Sequence, residues 1–424
     1  MIVLDLFSGA GGLTEGFYRQ NATFVGHVEL DNHACNTLKT RQAYWNLKKQ
    51  NKLDIYYDYL LKKIDRDTLW QKANLNKNEI INSEISDNTI NSIFNQIKTN
   101  MKNKNIKEVD VIIGGPPCQA YSIAGRARIG CAIENDPRNY LFKYYVEFLK
   151  EFKPKMFVFE NVPGLKTAGK GKYLKELIEE IENANYHLEL KELVATEFGV
   201  LQNRKRIIIF GWNKDYFKTF KYPEFEKIDI SQYKVSDLLK DLPKLEPNSK
   251  IEGLNKYTEK SNKYLQFSKI RSKNFNILTQ HITRPTNERD RKIYQITINK
   301  WFKENKNLKY NELLKIDKSL VTHKNTKSFL NRFNVVKSNQ NFSHTVVAHI
   351  AMDGHYYIHP DIEQIRSLSI REAARIQSFP DDFYFEGPRT SIFKQIGNAV
   401  PPLMAESIAY KTFNILTDLH TQKC

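Results

Sequence analysis

Cys118 stands in the run Gly114-Gly115-Pro116-Pro117-Cys118-Gln119. A structural cysteine usually sits among apolar neighbours, whereas this one sits among glycine, proline and a polar amide, so its thiol reads as a nucleophile. Glu160 ends the apolar run MFVFE at 156–160. A carboxyl just beyond a buried strand is poised for a raised pKa, and hence for giving up a proton at neutral pH. Gln202-Asn203-Arg204-Lys205-Arg206 spaces two guanidiniums by period two on one face of an extended segment. One can grip a base carbonyl or a phosphate and the other a neighbouring carboxylate. Asp5-Leu6-Phe7-Ser8-Gly9-Ala10-Gly11-Gly12 lets a backbone approach a ligand closely, and Glu29 follows 17 residues after Gly12. A carboxylate at that place can accept from both ribose hydroxyls, which points to an adenosine-containing cofactor. The spacing is not G-x-G-x-x-G, so a dinucleotide is not indicated. Taken singly, the glycine run also reads as a tight turn and Glu160 as a turn cap.

These groups need elements to hold them. Apolar runs at 2–7, 25–30, 109–113, 156–160 and 206–210 read as buried strands, and the patterns at 137–151 and 173–184 read as helices. Alternation of the two predicts an α/β domain with a largely parallel sheet, whose ligands sit at the carboxyl ends of the strands. Residues 37–108, rich in Lys, Asn and Ile, are expected as helices plus an insertion. Beyond Trp212 the βα rhythm stops. Asp353-Gly354 within 342–359 predicts a two-residue hairpin, Ser369 to Glu372 a capping box opening a helix over 369–378, and 395–400 with 403–416 a last helix.

The chain carries 65 Lys and Arg against 48 Asp and Glu, a net charge of +17. Residues 211–340 hold 28 basic and 14 acidic side chains, so +14 of the surplus lies in 130 residues and +3 in the other 294. Even compositional drift would not concentrate charge in this way, so the segment is expected to contact phosphates. No apolar run reaches the roughly 20 residues needed to cross a bilayer. Cys35, Cys118, Cys131 and Cys424 form no CxxC pair, which argues against a disulfide scaffold and a zinc ribbon; Cys131 reads as a loop packing residue. His344, His349, His355 and His359 cluster without a ligand motif, and no metal is expected there.

The motifs together resemble the DNA (cytosine-5) methyltransferase family. DLFSGAGG at 5–12, VELD at 28–31, GGPPCQAYS at 114–122, DPRNYL at 136–141, FVFENV at 157–162, FGVLQNRKRI at 198–207, REAARIQSFPDDF at 371–383 and QIGNAVPP at 395–402 follow that family's order across nearly the whole chain. The resemblance implies a Rossmann-like class I methyltransferase domain with a mostly parallel sheet, formed by residues 1–212 and rejoined by C-terminal helices at 366–424. It also implies a smaller irregular α+β target-recognition domain at 213–365. It implies S-adenosylmethionine as methyl donor, surrounded by Phe7, Gly9, Ala10, Gly12, Glu29, Gly115, Pro117, Leu141, Asn398 and Ala399. Glu84-Ile85 stands in for the Asp-Ile pair that usually touches the adenine. By the same resemblance Cys118 adds to C6 of a flipped-out cytosine, Glu160 protonates N3, Arg204 binds O2 and Arg206 orients the carboxylate. Gln119, Ser122, Arg126, Arg128 and Gln202 are the expected DNA contacts, the first four in a mobile loop at 119–135. The expected setting is a monomer acting on double-stranded DNA in a bacterial cytoplasm, nucleoid-associated, alongside a restriction endonuclease for the same site. A tRNA substrate, or an inactive nucleic-acid-binding relative, are the alternatives.

Overall fold

The computed structural model describes residues 1–116, 140–246, 256–321 and 330–421. Seven strands form one sheet: β1 (Ile2–Leu6), β2 (Thr23–Glu29), β3 (Ile80–Asn82), β4 (Val111–Gly114), β5 (Met156–Asn161), β6 (Tyr186–Val194) and β7 (Lys205–Asn213), in the order β3-β2-β1-β4-β5-β7-β6. The pairings from β3 through β5 are parallel, while β7 runs antiparallel to both β5 and β6. β1, β4 and β5 are apolar along most of their length because helices cover both of their faces.

Alternate residues feed two cores. Val3, Val111, Ile113, Val158 and Phe210 face a cluster with α1 (Gly12–Arg19), α2 (Asn32–Lys49), α3 (Leu53–Leu60) and α4 (Arg66–Lys72). Leu4, Val28, Ile112, Phe157, Phe159 and Ile209 face the other side, against α5 (Ile90–Asn103), α6 (Leu141–Phe152) and α7 (Lys172–Asn183). Residues 37–108 are therefore part of the fold rather than an appendage, since they supply β3 and helices on both faces. Three strand residues between lysines and asparagines are too few to show a period.

The region 213–365 also differs from expectation. Phe217, Tyr222 and Phe275 enter the first core. Val235, Leu238, Tyr264 and Ile270, the last two in and just after α8 (Lys263–Phe267), share a third core with Ile370, Phe379 and Ile396. A separate small core begins only at Ile293, on α9 (Glu288–Glu304) and α10 (Tyr310–Ile316), and takes in Trp301, Phe333, Val335 and Ile358. The hairpin at Asp353-Gly354 is not formed. Gly354 has φ −86°, not the positive value a two-residue hairpin needs, and Asp353 accepts from His355 N at 2.7 Å while pairing with Arg332 at 2.7 Å. Glycine is required there for another reason: a Cβ would lie 2.6 Å from Ser367.

The capping box at Ser369 and Glu372 opens α11 (Ile370–Ile376) as expected. The last helical stretch is two helices, α12 (Arg389–Asn398) and α13 (Pro402–Thr421), broken at Pro401-Pro402. α13 lies on α1, so close that a Cβ at Gly16 would fall 2.2 Å from the Ala405 backbone. No helix among the described residues is long and apolar enough to cross a membrane.

Candidate active site

The carboxyl ends of the parallel strands gather the sequence motifs on one edge. β1 ends at Leu6, and Phe7 (φ 54°), Gly9 (φ 55°) and Gly11 (φ 83°) then fold the chain into the N-terminus of α1. Among the described residues, no atom beyond its chain neighbours lies within 4 Å of where a Cβ on Gly9 would stand, so this loop is open on that side. Gly12 is different, because its Cβ would meet the Val400 carbonyl at 2.3 Å and Ala399 at 3.0 Å. Ala10 is buried in the third core. The glycine loop is thus open on one side and seated on the turn after α12 on the other.

Glu29 ends β2. Its two carboxylate oxygens accept from Gly9 N and Asp31 N, each at 2.8 Å. Burial raises its pKa, against the pull of those two N–H groups. β3 pairs Asn82 with Glu29, and Ser83 N donates to the Glu29 carbonyl at 3.1 Å. Glu84-Ile85 therefore follows directly at the same edge, with Glu84 exposed and Ile85 buried. Leu141, at the start of α6, is partly buried; Asn398, at the end of α12, is exposed beside buried Ala399.

β4 ends at Gly114-Gly115. A Cβ on Gly114 would fall 1.9 Å from the Leu6 carbonyl oxygen, and one on Gly115 equally close to that of Glu160. Only glycine lets this turn pass between its two neighbours. Asn161, at the end of β5, donates to the Pro116 carbonyl at 3.4 Å, which ties the Glu160 strand to the start of the cysteine loop. Pro117, Cys118, Gln119, Ser122, Arg126, Arg128 and Cys131 lie outside the described residues.

The antiparallel β7 explains why two arginines reach this edge. Its first residues meet the last residues of β5, with Glu160 opposite Ile208, so Arg206 is the diagonal neighbour of Glu160. Arg206 Nε lies 2.6 Å from Glu160 Oε1, an ion contact by distance whose N–H is not aligned as a hydrogen bond. Arg204 is fully buried and donates to the Val346 carbonyl at 2.7 Å and the Gly397 carbonyl at 3.0 Å. Its Nε has no partner among the described residues, and burial followed by the charge of Arg206 holds its pKa well below the usual guanidinium range.

Gln202, expected against DNA, is also fully buried. Its amide donates to Gln377 Oε1 at 2.6 Å and to the Ile376 carbonyl at 3.0 Å, and its oxygen accepts from Val346 N at 2.8 Å. Residues 343–346 run beside 201–204 through Asn203 N to Ser343 O and Ser343 N to Leu201 O, both 2.9 Å. Sequence reasoning assigned no role to Asn161 or Gln377, although both lie inside quoted motifs. Three of the histidines have separate partners, Tyr356 O for His344, Tyr294 for His355 and Asp361 N for His359, and no grouping among the described residues could hold a metal.

Known proteins resemble this chain over nearly its whole length. The chain matches the family "C-5 cytosine-specific DNA methylase" over residues 1–71 and 72–414. It is 41% identical to the type II methyltransferase M.Bpa9945I of Bacillus paralicheniformis, over 99% of this chain and 100% of that one. It is 30% identical to the type II methyltransferase M1.HphI of Haemophilus parahaemolyticus, over 98% and 87%. Among solved structures, a prophage-encoded protein (E. coli) assigned as a DNA modification methyltransferase matches with TM-score 0.63 and 22% identity, covering 98% of this chain and 99% of that one. The Dnmt2 methyltransferase of S. pombe matches with TM-score 0.51 and 15% identity, over 98% and 99%. Both share the fold of a mostly parallel sheet. The chain belongs to the C-5 cytosine-specific DNA methylase family and is a DNA cytosine-5 methyltransferase.

Proposed function

We propose that this enzyme methylates C5 of a cytosine flipped out of double-stranded DNA, with S-adenosylmethionine as donor and a transient covalent bond from Cys118. The observation that carries this reading is the junction of β4, β5 and β7. There Arg206 holds Glu160, and Asn161 tethers Pro116 two residues before Cys118. The donor fits the chain: the open loop at Gly9, the partly buried Glu29 carboxylate beside it, and Glu84-Ile85 next to Glu29 suit the loop-bound, ribose and adenine portions of an adenosine cofactor. When bound, that cofactor supplies a methyl group made electrophilic by a sulfonium.

The residues do the rest. Cytosine C5 is a weak nucleophile, so the Cys118 thiolate adds to C6 and converts the ring to an enamine. Glu160 gives a proton or hydrogen bond to N3, and Arg206 keeps its carboxyl in place. Arg204, a buried guanidinium whose hydrogen bonds among the described residues go to two backbone carbonyls, binds O2 of the ring. A base then removes the C5 proton and the thiol leaves. A stacked cytosine admits no thiol to C6, hence the need for flipping. Gln119, Ser122, Arg126 and Arg128 close over the extruded base, and the basic surface of 211–340 grips phosphates. The biological role is protection of cytoplasmic host DNA from an endonuclease of the same specificity, by a monomer.

Incubation of purified protein with methyl-labelled donor and either duplex DNA or tRNA tests the substrate. Label is expected as 5-methylcytosine in DNA; label in tRNA alone would overturn the reading. Bisulfite sequencing of DNA from an expressing host would then identify the methylated sequence.

A further inference from the structure

Gln202 and Gln377 form a buried amide bridge between three parts of the chain. Gln377 is fully buried and donates to the Ile396 carbonyl at 2.7 Å and the Ala399 carbonyl at 3.1 Å. Its own oxygen accepts from Gln202 at 2.6 Å. Gln202 in turn takes the N–H of Val346, whose carbonyl is held by Arg204 at 2.7 Å; Arg204 also takes the Gly397 carbonyl. Both backbone groups of Val346 are therefore fixed by residues 202 and 204, and three of the four backbone carbonyls from Ile396 to Ala399 by residues 204 and 377. The same turn carries the Val400 carbonyl that contacts Gly12 of the glycine loop.

We infer that Gln202 and Gln377 are positioning residues that couple the cofactor loop to the target-side segment at 343–347. Ala399 and Val400 form the floor on which the glycine loop rests, so a ligand that seats this loop also fixes the 396–400 turn. The amides are buried and have no water to exchange with, so displacing one end leaves a polar group unpaired. The cheaper response is for the bridge to move, or be held, as one unit. Val346 stands at its far end, next to exposed Val347 and the 345–352 segment. Arg204 shares both anchor points, so the guanidinium at the reacting base is held by the same bridge. Linkage is reciprocal: a cofactor that orders the turn tightens DNA binding by the factor with which DNA tightens cofactor binding.

This inference rests on the proposed cofactor site, and the test separates the two. Calorimetry of the wild-type enzyme with S-adenosylhomocysteine measures that site directly; absence of binding would overturn the site and the coupling together. Fluorescence anisotropy then gives DNA affinity with and without S-adenosylhomocysteine. The wild type is expected to bind DNA at least about fivefold more tightly with it, at the lower end of ordinary allosteric coupling. In Gln377→Met and Gln202→Met, near-isosteric changes that remove the hydrogen bonds, the ratio is expected to fall towards one while S-adenosylhomocysteine still binds. A wild-type ratio of one, or variants with the wild-type ratio, would overturn the coupling. Hydrogen exchange on the unmutated enzyme covers the case of a variant that does not fold. Peptides spanning 343–350 should exchange more slowly when S-adenosylhomocysteine alone is added, and unchanged exchange there would count against the bridge.

Discussion

Two fully buried arginines, Arg375 and Arg204, have opposite surroundings. Arg375, on α11, meets Asp381 at 2.6 Å and Asp241 at 2.5 Å, and Asp241 also pairs with Arg271 at 2.6 Å. Although burial works against its charge, the two carboxylates push its pKa well above the usual value. Among the described residues Arg204 donates to two backbone carbonyls and to no carboxylate, and its pKa falls. At the Arg375 joint, charge is cancelled inside the protein and what remains is a connection between residues 241–271 and the C-terminal helices. At the Arg204 edge, no carboxylate among the described residues pairs directly with the guanidinium, at the place where the proposed mechanism brings a base carbonyl. Buried charge that is neutralised locally serves architecture, and buried charge that is not serves a ligand.

This contrast can be broken in order of expected effect. Asp241→Asn leaves Arg271 and part of Arg375 uncompensated in the interior, which should cost about 3–5 kcal/mol of stability. Denaturant unfolding checks it, and a loss below 1 kcal/mol would mean the joint is not held by charge. Arg204→Met should do the reverse. Removing a strained charge offsets the loss of two hydrogen bonds, so stability changes little, while the rate of methyl transfer falls about 10²–10³-fold, as for other oxyanion-type donors. Unfolding measured beside single-turnover kinetics distinguishes the cases, and a variant that unfolds with intact turnover would reverse the assignment.

A smaller effect concerns groups buried in the neutral form. Burial lowers the pKa of His281 to about 4 and of His359 to about 3, from 6.5. The unfolded chain protonates these rings below about pH 6.5 and the folded chain does not, so stability should fall as pH drops from 6.5 towards 4.5, before most carboxylates titrate. At pH 5 the loss is about 2 kcal/mol per ring. A Tm that is flat across that window in wild type, or as steep in His359→Gln, would contradict it. The smallest effect sharpens the contrast from outside. DNA affinity should drop about tenfold or more between 50 and 200 mM salt through phosphate contacts, whereas affinity for S-adenosylmethionine, proposed to sit at Gly9 and Glu29, should scarcely change. Equal salt slopes for the two would place the basic surface at the wrong ligand.

Much of the edge was legible in the sequence because its residues obey local rules. The β1 apolar run followed by glycines, Glu29 at a strand end, and Ser369 with Glu372 as a capping box all express themselves within a few positions. What was not legible depends on distant partners. Gln202 was expected at DNA from the resemblance of FGVLQNRKRI to its family motif, yet its partners lie at 346, 376 and 377. Asp353-Gly354 obeyed hairpin chemistry locally, but Arg332 and Ser367 set its conformation. The 213 boundary followed the change in composition, whereas packing joins Phe217 through Phe275 to the larger cores. β3 was too short to show a period and is defined by its pairing with β2.

The central claim is that this edge acts through a covalent bond from Cys118. It is tested most directly on random-sequence duplex DNA in which cytosine is replaced by 5-fluorocytosine, incubated with enzyme and S-adenosylmethionine. Fluorine at C5 blocks the final elimination, so the wild type should yield a protein–DNA adduct that survives denaturing electrophoresis, and Cys118→Ala should yield none. No adduct from an active wild-type enzyme, or an adduct that persists in Cys118→Ala, would contradict the account.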